Sequence, residues 1–182
     1  MKKLLLSIVS FSLLALLVFG CSSDDMLTNS QSANASQKPG KTIVEIASGN
    51  PAFSTLVQAV VKAELDETLN GNRMFTVFAP TNDAFDAAAE AVLGAGSKGP
   101  DLVDALDVET LTNILLYHVS PGERFSGDVT SAERIRMMNK DFTYVDGTTI
   151  VGNNSSADLL LDLIDIDASN GVIHVIDFVL LP

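Results

Sequence analysis

Hydrophobic and polar positions divide the chain into three regimes. Leu4 to Phe19 is an apolar run broken only by Ser7, Ser10 and Ser12, and Lys2 and Lys3 stand in front of it. Residues 22–40 are dominated by Ser, Asn, Gln, Ala and Thr and close on Pro39-Gly40. From residue 41 onward the apolar positions become periodic, with no second linker and no obvious internal repeat, so 41–182 is expected to form one domain. Thr42 to Ala47 suits one or two helical turns. Asn50-Pro51 is a helix start, Asn as cap and Pro at the first position. Behind it Phe53, Leu56, Val57, Val60, Val61 and Leu65 recur at helical spacing and predict one apolar stripe. Asn70-Gly71 ends that region as a turn.

The next segments alternate in type. Met74 to Phe78 is aromatic and β-branched, which predicts a strand, and Pro80 stops it. Thr81 can cap a helix that carries Asp83 in its first turn and Phe85 on its inner face. Gly94 to Pro100 reads as a loop. A further helix is expected from Asp107, with Val108, Leu111, Ile114 and Leu115 on one face. The second half reads as β. Phe142–Asp146 and Thr148–Val151 flank Gly147 as a hairpin, Asp158–Ile166 is a strand candidate, and Val172–Leu181 is the longest. In that last strand Val172, His174, Ile176, Phe178 and Leu180 share one face, and Ile173, Val175, Asp177 and Val179 the other. Both faces are largely apolar, which predicts a central, buried strand. Helices first and strands later point to an α+β fold.

The N-terminal regime is an address. A basic head followed by an apolar run too short for a comfortable membrane span has the form of a secretory signal. Val18-Phe19-Gly20-Cys21 resembles a bacterial lipobox, with Phe19 bulkier than usual there. The resemblance implies cleavage after residue 20 and a lipid anchor on Cys21, the only Cys in the chain. Multiple acyl chains on that residue give stable anchoring. Ser rather than Asp follows Cys21, so the usual signal for inner-membrane retention is missing. Ser23, Asp24 and Asp25 look like the acidic export tag that some Gram-negative bacteria place behind the lipidated Cys. The expected location is the outer membrane with the domain facing outward; a periplasm-facing domain is the alternative. Residues 21–40 would then be a disordered tether, with a reach of roughly 25 Å by flexible-chain scaling.

Three segments of the domain resemble the fasciclin (FAS1) domain. Thr76-Val77-Phe78-Ala79-Pro80-Thr81-Asn82-Asp83-Ala84-Phe85 is similar to the family's first box. Leu115-Leu116-Tyr117-His118-Val119 is similar to its Tyr-His motif. Ser169-Asn170-Gly171-Val172-Ile173-His174-Val175-Ile176-Asp177 is similar to its second box. They stand in family order across residues 41–182. The resemblance implies a wedge of two β-sheets with several packed helices, and extracellular adhesion or matrix interaction. It makes Thr76, Phe78, Pro80, Thr81, Asp83, Phe85, Gly171, His174 and Asp177 structural box residues. Tyr117 and His118 become the candidate binding residues, with packing of the interior as the competing reading.

Composition narrows the chemistry. The chain of 182 residues carries 11 Lys and Arg against 23 Asp and Glu, a net charge of −12. Loss of Lys2 and Lys3 with the signal would leave 9 − 23 = −14. That balance argues against nucleic acid, whose phosphates require clustered Lys and Arg; it is expected to repel acidic polysaccharide and anionic headgroups and to favour basic or neutral partners. A lone Cys excludes an internal disulfide framework and a thiolate zinc cluster. No Gly-x-Ser-x-Gly elbow, phosphate loop or His-Glu-x-x-His motif is present. His118 and His174 are the tempting general bases, but each sits among aliphatic residues, where a satisfied core imidazole is expected. Asp177 is a candidate carboxylate partner for a nearby donor. Asp162, Asp165 and Asp167 have partly ligand-like spacing, yet Asn170 and Ile176 stand where a calcium loop needs Gly and Glu. Asn34-Ala35-Ser36, Asn153-Asn154-Ser155 and Asn154-Ser155-Ser156 match the N-glycosylation pattern and read as incidental.

The expectation is a non-catalytic, lipid-anchored adhesion module that binds an extracellular protein or glycan. It uses no cofactor and no metal, and touches the membrane through its lipid. A periplasm-facing structural or small-ligand-binding lipoprotein is the alternative. For that alternative, sparse aromatics (6%, no Trp) weigh mildly against a sugar-stacking groove. A hydrolase using His118 or His174 is a third reading.

Overall fold

The computed structural model describes Lys38 and residues 40–182. The expected signal segment, Cys21, the Ser23-Asp24-Asp25 stretch and most of the expected tether lie outside the described residues.

The helical half begins with α1 (Ile43–Ser48), closed by a capping box. The Thr42 hydroxyl accepts from the Glu45 amide, and the Glu45 carboxylate accepts from the Thr42 amide. Asn50 caps the next segment through the Ala52 amide, 3.0 Å away. Pro51–Phe53 starts as a 3-10 turn and α2 (Ser54–Lys62) continues it. The buried stripe is Phe53, Leu56, Ala59 and Val60. Val61, expected on it, is 62% exposed, because at 100° per residue the 57/61 row flanks the 53/56/60 row. A short α3 (Asp66–Leu69) follows before Asn70-Gly71.

Strand β1 (Phe75–Pro80) is followed by α4 (Asn82–Leu93), capped as expected by the Thr81 hydroxyl on the Ala84 amide. Pro80 ends the strand as its last paired residue, opposite Ile176. The Gly94–Pro100 segment is only partly a loop. Gly99 and Pro100 open α5 (Gly99–Ala105), whose start is held by the Asp86 carboxylate on the Gly99 amide at 2.7 Å. A Cβ on Gly99 would come within 2.7 Å of the Phe85 Cβ, so this glycine lets α5 seat on α4. Lys62 of α2 caps the far end of α5 by donating to the carbonyls of Val103, Asp104 and Leu106. Asp107 caps α6 (Val108–Leu116) through Thr110. Val108 sits exposed in its first turn, not on the buried face with Leu111, Ile114 and Leu115.

The remaining elements are β2 (Val119–Pro121), α7 (Ser126–Ser131), β3 (Arg134–Arg136), β4 (Phe142–Asp146), β5 (Thr149–Val151), β6 (Ser156–Asp158), β7 (Ile166–Ala168) and β8 (Gly171–Ile176). The hairpin around Gly147 forms as expected. The Asp158–Ile166 strand does not. Leu159 makes a single bridge to Ile176, Leu161–Leu163 turn as a 3-10 segment, and Asp165 takes φ +57°. The last strand stops at Ile176 and is no longer than β1.

Two four-stranded sheets result, ordered β2-β1-β8-β7 and β3-β4-β5-β6. In the first, β1 and β8 are parallel and central, and β8 is buried along its whole length as its two apolar faces require. The odd positions Phe75, Val77, Ala79, Ile173 and Val175 pack against the helices. The even positions Phe78 and Ile176 pack with Leu180 against Ile135, Met137, Ile150 and Ala157 of the second sheet. One sheet therefore separates two cores. Among the described residues no helix is long and apolar enough to cross a membrane.

Candidate functional site

The three sequence boxes meet in the interior. Tyr117 follows α6 and is fully buried. Its hydroxyl donates to the Phe142 carbonyl at 3.0 Å and accepts from the Asn153 amide at 3.1 Å, tying the helical half to β4 and to the β5–β6 loop. Burial pushes its phenol pKa up. His118 beside it is also buried. Its Nε2 accepts from the Leu180 amide at 2.9 Å, so the ring proton is on Nδ1 and donates to the Ile114 carbonyl at 2.8 Å. Desolvation lowers its pKa to about 4, and the ring is neutral near pH 7. Both ring nitrogens are occupied, and no lone pair remains for a substrate or a metal. A surface-docked partner would touch neither Tyr117 nor His118 in this arrangement.

His174 is built the same way from β8. Its Nε2–H donates to the Arg124 carbonyl at 2.8 Å, and its Nδ1 accepts from the Asp165 amide at 3.3 Å. Phe78 lies beside it, ring centroids 5.8 Å apart. Burial lowers the His174 pKa, against the opposing pull of the Arg124 bond and the Asp165 charge. Asp165 bends to reach Ser126, accepting from its amide at 2.6 Å and from its hydroxyl at 2.5 Å. Partial burial works to raise that carboxyl, but these two bonds and His174 outweigh it and hold it below its usual range. Ser126, Asp165 and His174 therefore resemble a relay only in composition, since no nucleophile faces a free imidazole nitrogen.

The other box residues are scaffold. Thr76 donates to the Gly122 carbonyl at 2.8 Å and accepts from the Arg124 amide at 2.9 Å. Phe78 and Phe85 fill the two cores, and Asp83 sits exposed in the first turn of α4. Gly171 has φ +148°, and a Cβ there would fall 1.9 Å from the Phe75 carbonyl oxygen, so only glycine fits. Asp177 is exposed and not a buried carboxylate; it accepts from the Asp158 amide at 2.7 Å. Sequence reasoning included Asn170 in the box but missed its role. Fully buried, it accepts from the Ile43 amide at 2.9 Å and donates to the Leu69 carbonyl at 2.6 Å, joining α1, α3 and the start of β8. Asp167 pairs with Lys38 at 2.8 Å, and Lys38 also pairs with Glu123. Among the described residues no group of three or more His, Cys, Asp or Glu is placed to hold a metal ion.

Two surface features were not anticipated. An apolar recess of about 200 Å³ opens between α1, α2 and β1, lined by Ile43, Leu56, Val60, Leu69 and Val77 with His118 among them. The outward face of the second sheet carries Arg134, Arg136, Phe142 and Tyr144. The alternation Arg-Ile-Arg and Phe-Thr-Tyr was the available signal, with Ile135 and Thr143 turned inward.

Comparison with known proteins follows this geometry. The model of the fasciclin domain matches residues 51–182. The chain is 43% identical over 163 residues to protein sll1483 of Synechocystis sp., covering 87% of this chain and 84% of that protein. It is 30% identical over 147 residues to the cell surface glycolipoprotein MPB83 of Mycobacterium bovis, covering 77% of this chain and 60% of that one. The FAS1 domain pair of the insect cell adhesion molecule fasciclin I superposes with a TM-score of 0.60 at 19% identity, over 78% of this chain and 51% of that chain. This last likeness is one of fold.

Proposed function

The chain belongs to the fasciclin domain family, and from that premise we propose that it is a non-catalytic adhesion module, lipid-anchored at Cys21 and displayed on the outer surface of the outer membrane. The observation that carries the reading is the internal use of the motif residues. Tyr117, His118, Thr76 and His174 all bond within the domain, so the boxes hold a scaffold and binding falls to its surface. The names of two similar proteins, a cell surface glycolipoprotein and a cell adhesion molecule, support the same assignment. The lipobox, the Ser23-Asp24-Asp25 run with its two carboxylates, and the polar segment before residue 41 supply anchor, export and reach. Protease shaving of intact cells tests display. Release of the domain is expected, and replacing Asp24 and Asp25 by Ala should abolish it. A domain protected until the outer membrane is opened would overturn the outward-facing reading.

The apolar recess favours a second reading, a periplasm-facing lipoprotein that binds a small apolar ligand. Its size is close to that of cavities that take up benzene-sized molecules. A ligand that binds only the folded state raises the melting temperature, so a thermal-shift series with toluene and short alkanols distinguishes it from the adhesion reading.

A further inference from the structure

The outward face of the second sheet differs from the rest of this acidic molecule. Arg134 and Arg136 project from edge strand β3, with Tyr144 and Phe142 directly across the ladder on β4. Tyr144 is 51% exposed and Phe142 37%. The Arg134 guanidinium stacks over the Phe142 ring, 4.8 Å from its centroid, which holds the charge against one face of the ring. Lys140 is exposed in the turn between the two strands. Lys38, Lys62 and Lys98 are committed to partners within the domain. Among the described residues Arg134, Arg136 and Lys140 make no ion pair, as is also true of Lys41, Arg73 and Arg124 outside these strands, so what distinguishes this face is the clustering of three such cations. The inner faces of the same strands, Ile135, Thr143 and Ile150, are buried, so the outer side chains stand on a fixed platform.

We propose that this face binds an anionic polysaccharide, a glycan chain bearing carboxylate or sulfate groups. The proposal rests on the adhesion reading and names the partner class for it. Exposed aromatic rings offer flat apolar faces to the C–H face of a pyranose. Guanidinium forks pair with carboxylates and sulfates in a fixed, bidentate geometry. Alternate outward positions on one strand lie roughly 7 Å apart, so two arginines address charges on a chain of sugars better than one compact anion. Net charge does not forbid the contact. At physiological salt the screening length is about 8 Å, so the local arginines govern what approaches them. Acidic neighbours are Glu133 just before β3, Asp141 just before β4, Asp146 on the outward face of β4 two residues beyond Tyr144, and Asp158 on the far edge strand β6.

The test uses the full-length protein in detergent, with polygalacturonate as anionic probe, dextran sulfate as its sulfated counterpart and dextran as neutral control. Binding to at least one anionic chain and none to dextran is expected, weakening as salt is raised. The double variant R134Q/R136Q should bind about tenfold more weakly or worse, with an unchanged melting curve. The chain has no Trp and only two Tyr, and Tyr117 is internal. A change in tyrosine fluorescence on titration should therefore come from Tyr144 and vanish in Y144F. Equal binding to dextran, no binding to either anionic chain, binding unaffected by the arginine substitutions, or preference for anionic vesicles would each overturn the proposal. If the protein still retains cells or matrix while R134Q/R136Q behaves as wild type, the face is wrong and adhesion stands. If neither retention nor polysaccharide binding is seen, both fall.

Discussion

At the scale of single residues, the domain is held by buried polar side chains that each join two or more elements. Asn170 is the clearest case. Its amide satisfies the Ile43 N–H and the Leu69 carbonyl, both far away in sequence. Truncation to Ala would leave that donor and acceptor buried without partners, at a cost of ~1–3 kcal/mol for each. Asn170→Ala should therefore lower the unfolding free energy by about 2–6 kcal/mol, read from urea unfolding. A loss below about 0.5 kcal/mol would remove Asn170 from the list of structural ties. The residue was visible as part of a motif, but its two partners were not, because sequence spacing carries no information about groups more than a hundred positions apart.

Among elements, local chemistry and tertiary demand agree in some places and conflict in others. Helix α4 is an agreement. Thr81 caps it, Asp83 favours its positive end, and Phe85, Ala88 and Ala89 bury one face. Thr81→Ala should cost about 1 kcal/mol, measured as a lower urea midpoint with the native circular dichroism spectrum kept. An unchanged midpoint would show that packing alone holds the helix start. Residues 158–166 are the conflict. The run Asp158-Leu159-Leu160-Leu161-Asp162-Leu163-Ile164 is apolar at odd and even positions alike, so it reads as strand. The backbone instead leaves the sheet after Leu159, exposing Leu161 and Leu163, and turns at Asp165 to deliver its carboxylate to Ser126. Position 165 tolerates φ +57° because Asp is among the few residues that enter this region at modest cost. No local pattern announces that a carboxylate is needed forty residues back along the chain.

For the whole molecule the two histidines couple stability to pH. His118 titrates near its ordinary 6.5 when unfolded and at about 4 when folded. Between those values the unfolded chain binds the extra proton, so stability falls as pH falls. The contribution is complete above pH 6.5 and is lost by about pH 4, a change on the order of 3 kcal/mol for a fully buried ring. His174, also lowered by burial, acts in the same direction. Asp165, held below the usual carboxylate range, adds a further loss at still lower pH. Urea midpoints should hold from pH 7.5 to about pH 6.5 and decline from there to pH 4, and a flat profile across that window would contradict the buried, neutral imidazoles. Two-dimensional NMR of the rings should show His118 protonated on Nδ1 throughout the neutral range.

The sequence by itself determined the local half of this protein. Caps at Asn50 and Thr81 and the start at Asp107 declare helices because capping is chemistry within four residues. Alternation along Val172–Leu181 declares a strand buried on both faces, because side chains of a strand point alternately to opposite sides, though the strand itself ends at Ile176. The boxes around Tyr117 and Gly171 declare the family. Tertiary structure alone decided what those elements meet. Pairing of the first strand with the last, parallel and in register from Phe75↔Gly171 to Pro80↔Ile176, is a long-range contact that no periodicity encodes. It also decided that Tyr117 and His118 bond inward, and that Arg134, Arg136, Phe142 and Tyr144 gather on one open face. Burial and satisfaction of polar groups are properties of the packed chain, and they separate the residues that hold this fold from those free to bind.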